Sequence, residues 1–181
     1  MKIISALLLA CILTLPAMAA PDFEETKRFA EAGESWAQYS LGVKYATGDG
    51  VPVNASEAVN WYRLAAEQGY ATAQYNLGTS YAKGDGVLAN NAKAVKWYRL
   101  AAEQGYVAAQ FTLGFNYIKG KGVPKNYIRA YKVWAAASDQ GHHDAEINLA
   151  KLTKILTPAE RVAGQQLATE CHERNNKDCG F

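Results

Sequence analysis

The chain has 181 residues, with 19 basic and 17 acidic side chains and a formal net charge of +2 at pH 7. Such near-neutrality offers no general electrostatic attraction for nucleic acid or for an anionic lipid surface, so neither is expected as a partner. After the first 19 residues, no segment approaches the roughly 20 apolar residues of a membrane-spanning helix, so no membrane span is predicted there.

The N-terminal residues predict an export signal. Lys2 supplies a positive start, residues 3–15 are almost entirely apolar, and residues 17–19 read Ala-Met-Ala, a typical cleavage site. We therefore interpret residues 1–19 as a signal peptide and expect a periplasmic or secreted protein. An alternative is a bacterial lipoprotein signal, because the residues before Cys11 loosely resemble a lipobox and this cysteine would then be lipidated.

The rest of the chain is a tandem repeat. Gly33, Gly69, Gly105 and Gly141 are spaced 36 residues apart, and similar residues follow each of them. A period of this length predicts stacked supersecondary units that bury a face which one unit alone cannot cover. The predicted organisation is an N-terminal capping helix at 20–32, three repeats at 33–68, 69–104 and 105–140, and a degenerate fourth repeat with a C-terminal cap at 141–181.

Each unit is predicted to contain two helices. In the first unit, apolar residues at helical spacing indicate a helix over 35–47, which Gly48 is placed to end. Pro52 and two glycines follow in a loop, and a second helix is expected over 56–68. Mid-helix glycines such as Gly42 cost helix stability, so we expect each to permit close approach of the partner helix.

The C-terminal segment predicts a capping helix. Thr157 is a suitable N-cap, followed by proline at the first helical position and by Glu160 at the third, which is the capping-box pattern. Cys171 and Cys179 are close in sequence, and in an exported protein such a pair favours a disulfide over a metal or redox site.

These motifs resemble a known repeat family. The units share the pattern A-Q-x-x-L-G-x-x-Y, then G-x-G-V, then A-x-x-W-Y-x-x-A-A-E-Q-G, with milder agreement in the third unit. This pattern is similar to the Sel-1-like repeat, a relative of the tetratricopeptide repeat. The resemblance implies an all-α fold, an α/α solenoid whose first helices line the inner, concave curve and which binds another protein without a cofactor.

A candidate partner-binding surface follows from that implied geometry. On a helical wheel of the first helix, a row of apolar and polar residues lies away from the seam that Leu41 packs. Aromatic side chains with polar neighbours are typical of binding surfaces, although the same aromatic residues could instead pack against adjacent first helices. The expected contact residues are Tyr39, Val43, Lys44, Tyr75, Thr79, Ser80, Phe111, Phe115, Asn116 and Ile118.

A second candidate surface is a basic cluster around the third loop. Its lysines and arginine could attract an acidic partner, or they could simply form a solvated surface. The cluster comprises Lys119, Lys121, Lys125, Arg129 and Lys132.

The sequence does not predict an active site or a metal site. The segment His142-His143-Asp144 lacks the i, i+4 spacing of a helical metal pair, and no G-x-S-x-G, phosphate-binding loop or S-x-x-K pattern is present. The alternative function is β-lactam binding or hydrolysis, credited to related cysteine-rich Sel-1-like proteins. Those proteins have a disulfide in every repeat, whereas the first three units here contain no cysteine.

We therefore expect a non-catalytic scaffold or adaptor for another protein. The family resemblance suggests two specific roles, an immunity protein against a secreted toxin or an assembly factor of the cell envelope.

Overall fold

The computed structural model describes residues 22–174 and 179–181, and the described residues form nine helices and no strand. The predicted signal peptide and Cys11 lie outside these ranges. The helices are α1 (Phe23–Glu31), α2 (Ser35–Thr47), α3 (Ala55–Glu67), α4 (Ala71–Lys83), α5 (Asn91–Glu103), α6 (Val107–Lys119), α7 (Tyr127–Asp139), α8 (His143–Ile155) and α9 (Pro158–Glu173). From α1 to α8 each helix packs on the next, which confirms the predicted all-α solenoid.

Local sequence signals set the ends of the repeat helices. The second helix of each unit begins after an asparagine whose side-chain oxygen accepts a hydrogen bond from the backbone N–H three residues later, as Asn90 does from Lys93 at 2.9 Å. The first helix of each unit ends at a glycine in the left-handed conformation, as at Gly84 with φ +84°. Each 36-residue unit therefore contains its own start and stop signals.

The second glycine of the G-x-G loop is required by contact between units. A Cβ atom at Gly86 would lie 2.1 Å from the carbonyl oxygen of Ala55, at the start of α3. The corresponding atom at Gly122 would lie 2.2 Å from the carbonyl oxygen of Asn91, at the start of α5. The loops of the second and third units thus lie directly on the backbone of the preceding unit, and only glycine fits there.

The mid-helix glycines receive an aromatic ring from the second helix of the same unit. A Cβ atom at Gly78 would lie 2.7 Å from the Tyr98 ring. In the third unit Trp134 takes the position of this tyrosine; it packs on Gly114 and donates its indole N–H to the carbonyl oxygen of Phe111 at 3.0 Å. The close approach that the sequence predicted is therefore an approach of side chain to backbone.

A buried glutamine in each unit connects three helices. Gln110 is 0% exposed; its Nε2 donates to the carbonyl oxygen of Ala102 at the end of α5. Its Oε1 accepts from Nε2 of Gln140, the residue that ends α7, at 2.8 Å. The same pair of bonds recurs at Gln74 and Gln38. These bonds satisfy the buried amide and fix the spacing of consecutive units.

The two ends of the stack differ from the repeats. At the N-terminal end, α1 acts as the second helix of a preceding unit, since the carbonyl oxygen of Ala30 accepts from Nε2 of Gln38. At the C-terminal end, α9 packs mainly on α7, where Gly164 meets the ring of Tyr131.

The predicted C-terminal signals are present. Thr157 and Glu160 form the reciprocal capping box at the start of α9. The disulfide joins Cys171 to Cys179, and the ring of Phe181 is buried beyond it. The tail is therefore held against the final helices by a covalent bond and by an apolar contact.

We predict that Gln110→Glu destabilises the stack strongly at neutral pH. The substitution keeps the shape but directs a carboxylate oxygen at the carbonyl oxygen of Ala102 in a fully buried site. The free energy of unfolding should fall by about 3 kcal/mol or more at pH 7. Below about pH 5 part of this loss should be recovered, because the protonated carboxyl group can donate again.

Urea unfolding followed by circular dichroism at both pH values measures this effect. The control is Gln166→Glu, which makes the same chemical change on the exposed surface of α9. Equal unfolding midpoints for the two variants at pH 7 would show that the buried glutamine does not tie the units together.

Candidate protein-binding face

The first helices of the three repeats, α2, α4 and α6, form a surface almost without charge, which we call the first-helix face. Each of these helices contains a single charged residue, a lysine in its last turn, and no acidic residue. The second helices contain three charged residues in α3, four in α5 and three in α7. The two sides of the solenoid therefore differ sharply in charge.

Half-buried tyrosines cross the first-helix face. The Tyr39 ring centroid lies 6.0 Å from that of Tyr62 on α3 and 5.2 Å from that of Tyr70, the residue preceding α4. Tyr75 repeats this arrangement one unit later. Burial raises the pKa of Tyr39 above its usual value, so its hydroxyl stays neutral. These rings thus combine interhelical packing with partial exposure.

In the third unit the aromatic cluster is larger. The Phe111 ring stacks on His142 at 4.3 Å and meets the edge of Phe115 at 5.1 Å. Phe115 also packs against Trp134, and Nζ of Lys119 lies 5.7 Å from the Phe115 ring centroid. Phe111 and Phe115 remain half-exposed, so this unit presents the most apolar part of the face.

The expected row of exposed polar residues is corrected by the structure. Ser80 and Asn116 are each only 9% exposed. Lys44 keeps 15% of its side chain exposed, because its Nζ pairs with Asp49 Oδ2 at 2.8 Å. A helical wheel gives the direction of a side chain but not how deeply the neighbouring helices cover it, so the burial of these positions was not expected.

The remaining predicted contact residues are half-buried. Val43 and Ile118 pack on the edge of the hydrophobic core. Thr79 donates to the carbonyl oxygen of Tyr75 and accepts from the hydroxyl of Tyr98 at 3.3 Å. The predicted residues therefore lie together along one face, but most of them also support the fold.

A groove of about 300 Å³ opens between the first two repeats. Small side chains create the groove, and Thr79 lies in its wall. One unit later Phe115 occupies the Thr79 position, and its larger ring packs on Trp134. This groove was not predicted from the sequence, although Thr79 in place of the later Phe115 was its signal. Its lining residues are Ala46, Ala55, Ala58, Tyr62, Asn76, Thr79, Ser80 and Asp85.

Comparison with known proteins identifies the repeat. The Sel1 repeat family model matches three consecutive segments, residues 37–70, 71–106 and 107–142. The chain belongs to the Sel1 repeat family. Sel1 repeat proteins are generally scaffolds for protein interactions and are typically non-catalytic. No curated protein matches this chain.

Three solved structures of Sel1 type are similar to this chain. A Sel1 repeat protein from Oxalobacter formigenes is 38% identical with a TM-score of 0.67, over 70% of this chain and 54% of that one. The protein c5321, a protective antigen of uropathogenic Escherichia coli, is 30% identical with a TM-score of 0.55, over 83% of this chain and 40% of that one. This chain thus spans only about half or less of these two proteins.

The Helicobacter pylori cysteine-rich protein B shares the fold. It is 21% identical with a TM-score of 0.57, over 68% of this chain and 91% of that one. The described residues of this chain contain one disulfide, Cys171–Cys179, which lies near the C-terminus and outside the three matched repeats.

The structure divides the predicted basic cluster. Lys119, Lys121, Lys125 and Arg129 are exposed, whereas Lys132 is only 5% exposed. Nζ of Lys132 donates to the carbonyl oxygens of Cys179 at 2.6 Å and Gly180 at 3.2 Å, and it lies over the Phe181 ring. Lys132 therefore anchors the tail of this Sel1 protein and does not belong to a solvent-exposed patch.

The histidine pair near the fourth unit has structural contacts. His142 caps α8 by accepting from the backbone N–H of Ala145, and His143 lies 3.6 Å from Glu146 on the surface. Within 22–174 and 179–181, no three His, Cys, Asp or Glu side chains form a group that could hold a metal ion. In the same ranges, no helix is both long enough and apolar enough to cross a membrane.

We predict a pH-dependent stability that depends on Lys132. Burial lowers the pKa of this ammonium from 10.5 to about 8, with the charge of Arg129 as the next cause. Above pH 8 the folded protein releases this proton while the unfolded chain still holds it, so stability should rise with pH in this window. The free energy of unfolding should increase by about 1–2 kcal/mol between about pH 7.5 and 9.5.

The measurement is urea unfolding of the oxidised protein across this pH range, compared with Lys132→Met and with the exposed-site control Lys125→Met. The control should keep the wild-type slope, and Lys132→Met should lose it. An unchanged slope in Lys132→Met would assign the pH dependence to another group.

Proposed function

We propose that this chain is an exported, non-catalytic scaffold that binds another protein along the first-helix face. The observation that carries the proposal is the contrast in charge between the two sides of the repeats. Three successive helices present half-exposed aromatic and apolar residues with one lysine each, whereas the second helices are rich in charged side chains. Cores of protein interfaces are depleted in charge and enriched in aromatic residues.

The groove between the first two repeats would hold an anchoring side chain of the partner. Its apolar walls include Ala46, Ala58 and the ring of Tyr62, while Asn76 and Asp85 add polar atoms at its edge. A cleft with apolar walls and a few polar groups suits one partly apolar side chain. The half-exposed rings of Tyr75 and Phe111 would extend the contact along the next two units.

The disulfide in the C-terminal segment supports the proposal that the protein is exported. The Cys171–Cys179 disulfide fits an oxidising compartment such as the periplasm or the extracellular space. Within that setting, the proposed roles are neutralisation of a secreted toxin or assistance in envelope assembly. A toxin-neutralising protein should form a stable one-to-one complex, whereas an assembly factor should release its client.

We predict that site-specific photocrosslinking will map the partner to the first-helix face. A benzophenone amino acid placed at Ala46 or Tyr75 should give one major covalent product, containing the same partner at both positions. Leu64 on α3 is 44% exposed, and Leu88 in the loop after α4 is 89% exposed. The same amino acid placed at either of these positions should give little product. Mass spectrometry of the products identifies the partner.

The identified partner then permits a quantitative test. Ala46→Trp would fill the groove and should weaken binding of the purified partner at least tenfold, or about 1.4 kcal/mol. Leu64→Ala, the control on the charged side, should bind as wild type does. Crosslinking mainly from Leu64 and Leu88, or unchanged affinity in Ala46→Trp, would reject the first-helix face as the binding surface.

A further inference from the structure

Two arginines converge on one tyrosine hydroxyl in the third repeat. Arg99 on α5 donates from Nη2 to the Tyr117 hydroxyl oxygen at 3.0 Å, and Arg129 on α7 donates from Nη1 to the same oxygen at 3.4 Å. Both guanidinium carbons also lie within 6 Å of the Tyr117 ring centroid, at 5.8 and 5.9 Å. Two positive groups are thus held together at one point, which is unfavourable unless something negative joins them.

No carboxylate neutralises this pair among the described residues. Within residues 22–174 and 179–181, no acidic side chain lies within 4.0 Å of a guanidinium nitrogen of Arg99 or Arg129. Glu103 lines the adjacent cleft without forming such a pair. The Nε of Arg99 is buried and has no hydrogen-bond partner in the part of the chain that the structure describes, an uncommon arrangement in a folded protein that needs an explanation.

The pair opens on solvent-accessible space. Clefts of about 390 and 350 Å³ lie on the two sides of Arg99 and share Val123 and Pro124 of the third loop. Lys96 lines the first cleft, while Asn126 and Arg129 line the second. A ligand approaching from the loop side would therefore meet planar guanidinium groups above an apolar floor.

The preceding repeat does not have this arrangement, although its residues correspond one to one. Arg63 occupies the Arg99 position, but its Nη1 donates to Asn60 on the same helix at 3.3 Å. On the helix that carries Arg99, in the second repeat, Lys96 occupies the Asn60 position, which removes that acceptor and adds a cation. The Arg129 position is Lys93 in the preceding unit, where its Nζ lies 5.4 Å from the Tyr81 ring centroid.

From this convergence we propose that Arg99 and Arg129, held in place by the buried Tyr117 hydroxyl, form a carboxylate-binding site, which receives an acidic side chain or a C-terminal carboxylate of a protein partner. Planar guanidinium groups match carboxylates in paired hydrogen bonds, whereas ammonium groups act as point charges. Tyr117 is fully buried, so its hydroxyl accepts from both arginines and orients them without contacting the ligand itself.

This inference depends on the proposed function only in taking the ligand to be part of a protein. The site lies between α5, α7 and the third loop, apart from the groove between the first two repeats. Loss of crosslinking at Ala46 would count against the first-helix face but would not count against the carboxylate-binding site. Failure of the experiment below would leave the first-helix face untouched.

The test is titration of the isotopically labelled full chain with two short peptides, followed through the side-chain Nε–Hε nuclear magnetic resonance signals of the arginines. One peptide, acetyl-Gly-Glu-Gly-Glu-Gly-amide, offers only side-chain carboxylates. The other, acetyl-pentaglycine, offers only a C-terminal carboxylate. We expect saturable shifts of the Arg99 and Arg129 signals with at least one peptide at concentrations up to about 10 mM, and the better peptide identifies the source.

Variants separate a built site from general attraction. Arg99→Gln/Arg129→Gln should weaken binding at least tenfold, measured through backbone amide shifts of the third loop. Arg99→Lys/Arg129→Lys keeps both charges and should still weaken it severalfold. The control Lys121→Gln/Lys125→Gln removes the same charge from exposed positions on that loop and should bind within about twofold of wild type. Circular dichroism checks that each variant is folded.

Three results would overturn the proposal. The first is the absence of saturable shifts at both arginines with both peptides. The second is equal weakening by the arginine and lysine pairs, which would indicate diffuse electrostatic attraction. The third is saturation by inorganic phosphate at concentrations well below those of either peptide, which would indicate a phosphate site.

Discussion

The buried glutamine amide is the interaction on which the register of the solenoid depends. Each of Gln38, Gln74 and Gln110 donates to a carbonyl at the end of the preceding second helix and accepts from the glutamine that closes the following one. A buried amide is costly unless both its donor and its acceptor are satisfied, so units that slipped against each other would lose this bond pattern at every seam. Apolar packing alone would tolerate such a slip more readily.

With the register fixed in this way, glycine and aromatic residues determine how close the helices lie. The rings that pack on the mid-helix glycines also contact the half-buried aromatics of the first helices, as Tyr98 contacts Tyr75. The first-helix face is therefore the outer layer of the same packing that forms the core. Side chains held by such packing have less conformational entropy to lose on binding than freely rotating ones. Differences between units, such as Thr79 against Phe115, then shape it locally.

The sequence predicted the features that depend on local or periodic signals. These include the helix bounds of the first repeat to within one residue, the capping box at Thr157, the disulfide and the close contacts at the mid-helix glycines. The burial of Ser80 and Lys132 was not predicted, because a helical wheel gives the direction in which a side chain points but not how deeply it is buried. The packing of α9 on α7 and the convergence of Arg99 and Arg129 on Tyr117 depend on contacts between helices, which no local pattern encodes.

The repeat makes residue differences between units interpretable, because each position has a counterpart in an almost identical setting. Residues that set the register are the same in every unit, so a change elsewhere alters the surface without altering the stack. At one position the three units carry Glu57, Lys93 and Arg129, and at another Asn60 is replaced by Lys96. At these two positions positive charge thus rises from the first unit to the second and is kept in the third, where Lys132 corresponds to Lys96, beside a tyrosine that does not change. A repeat scaffold gains specificity through such differences between units, since a partner must match their order as well as their kind.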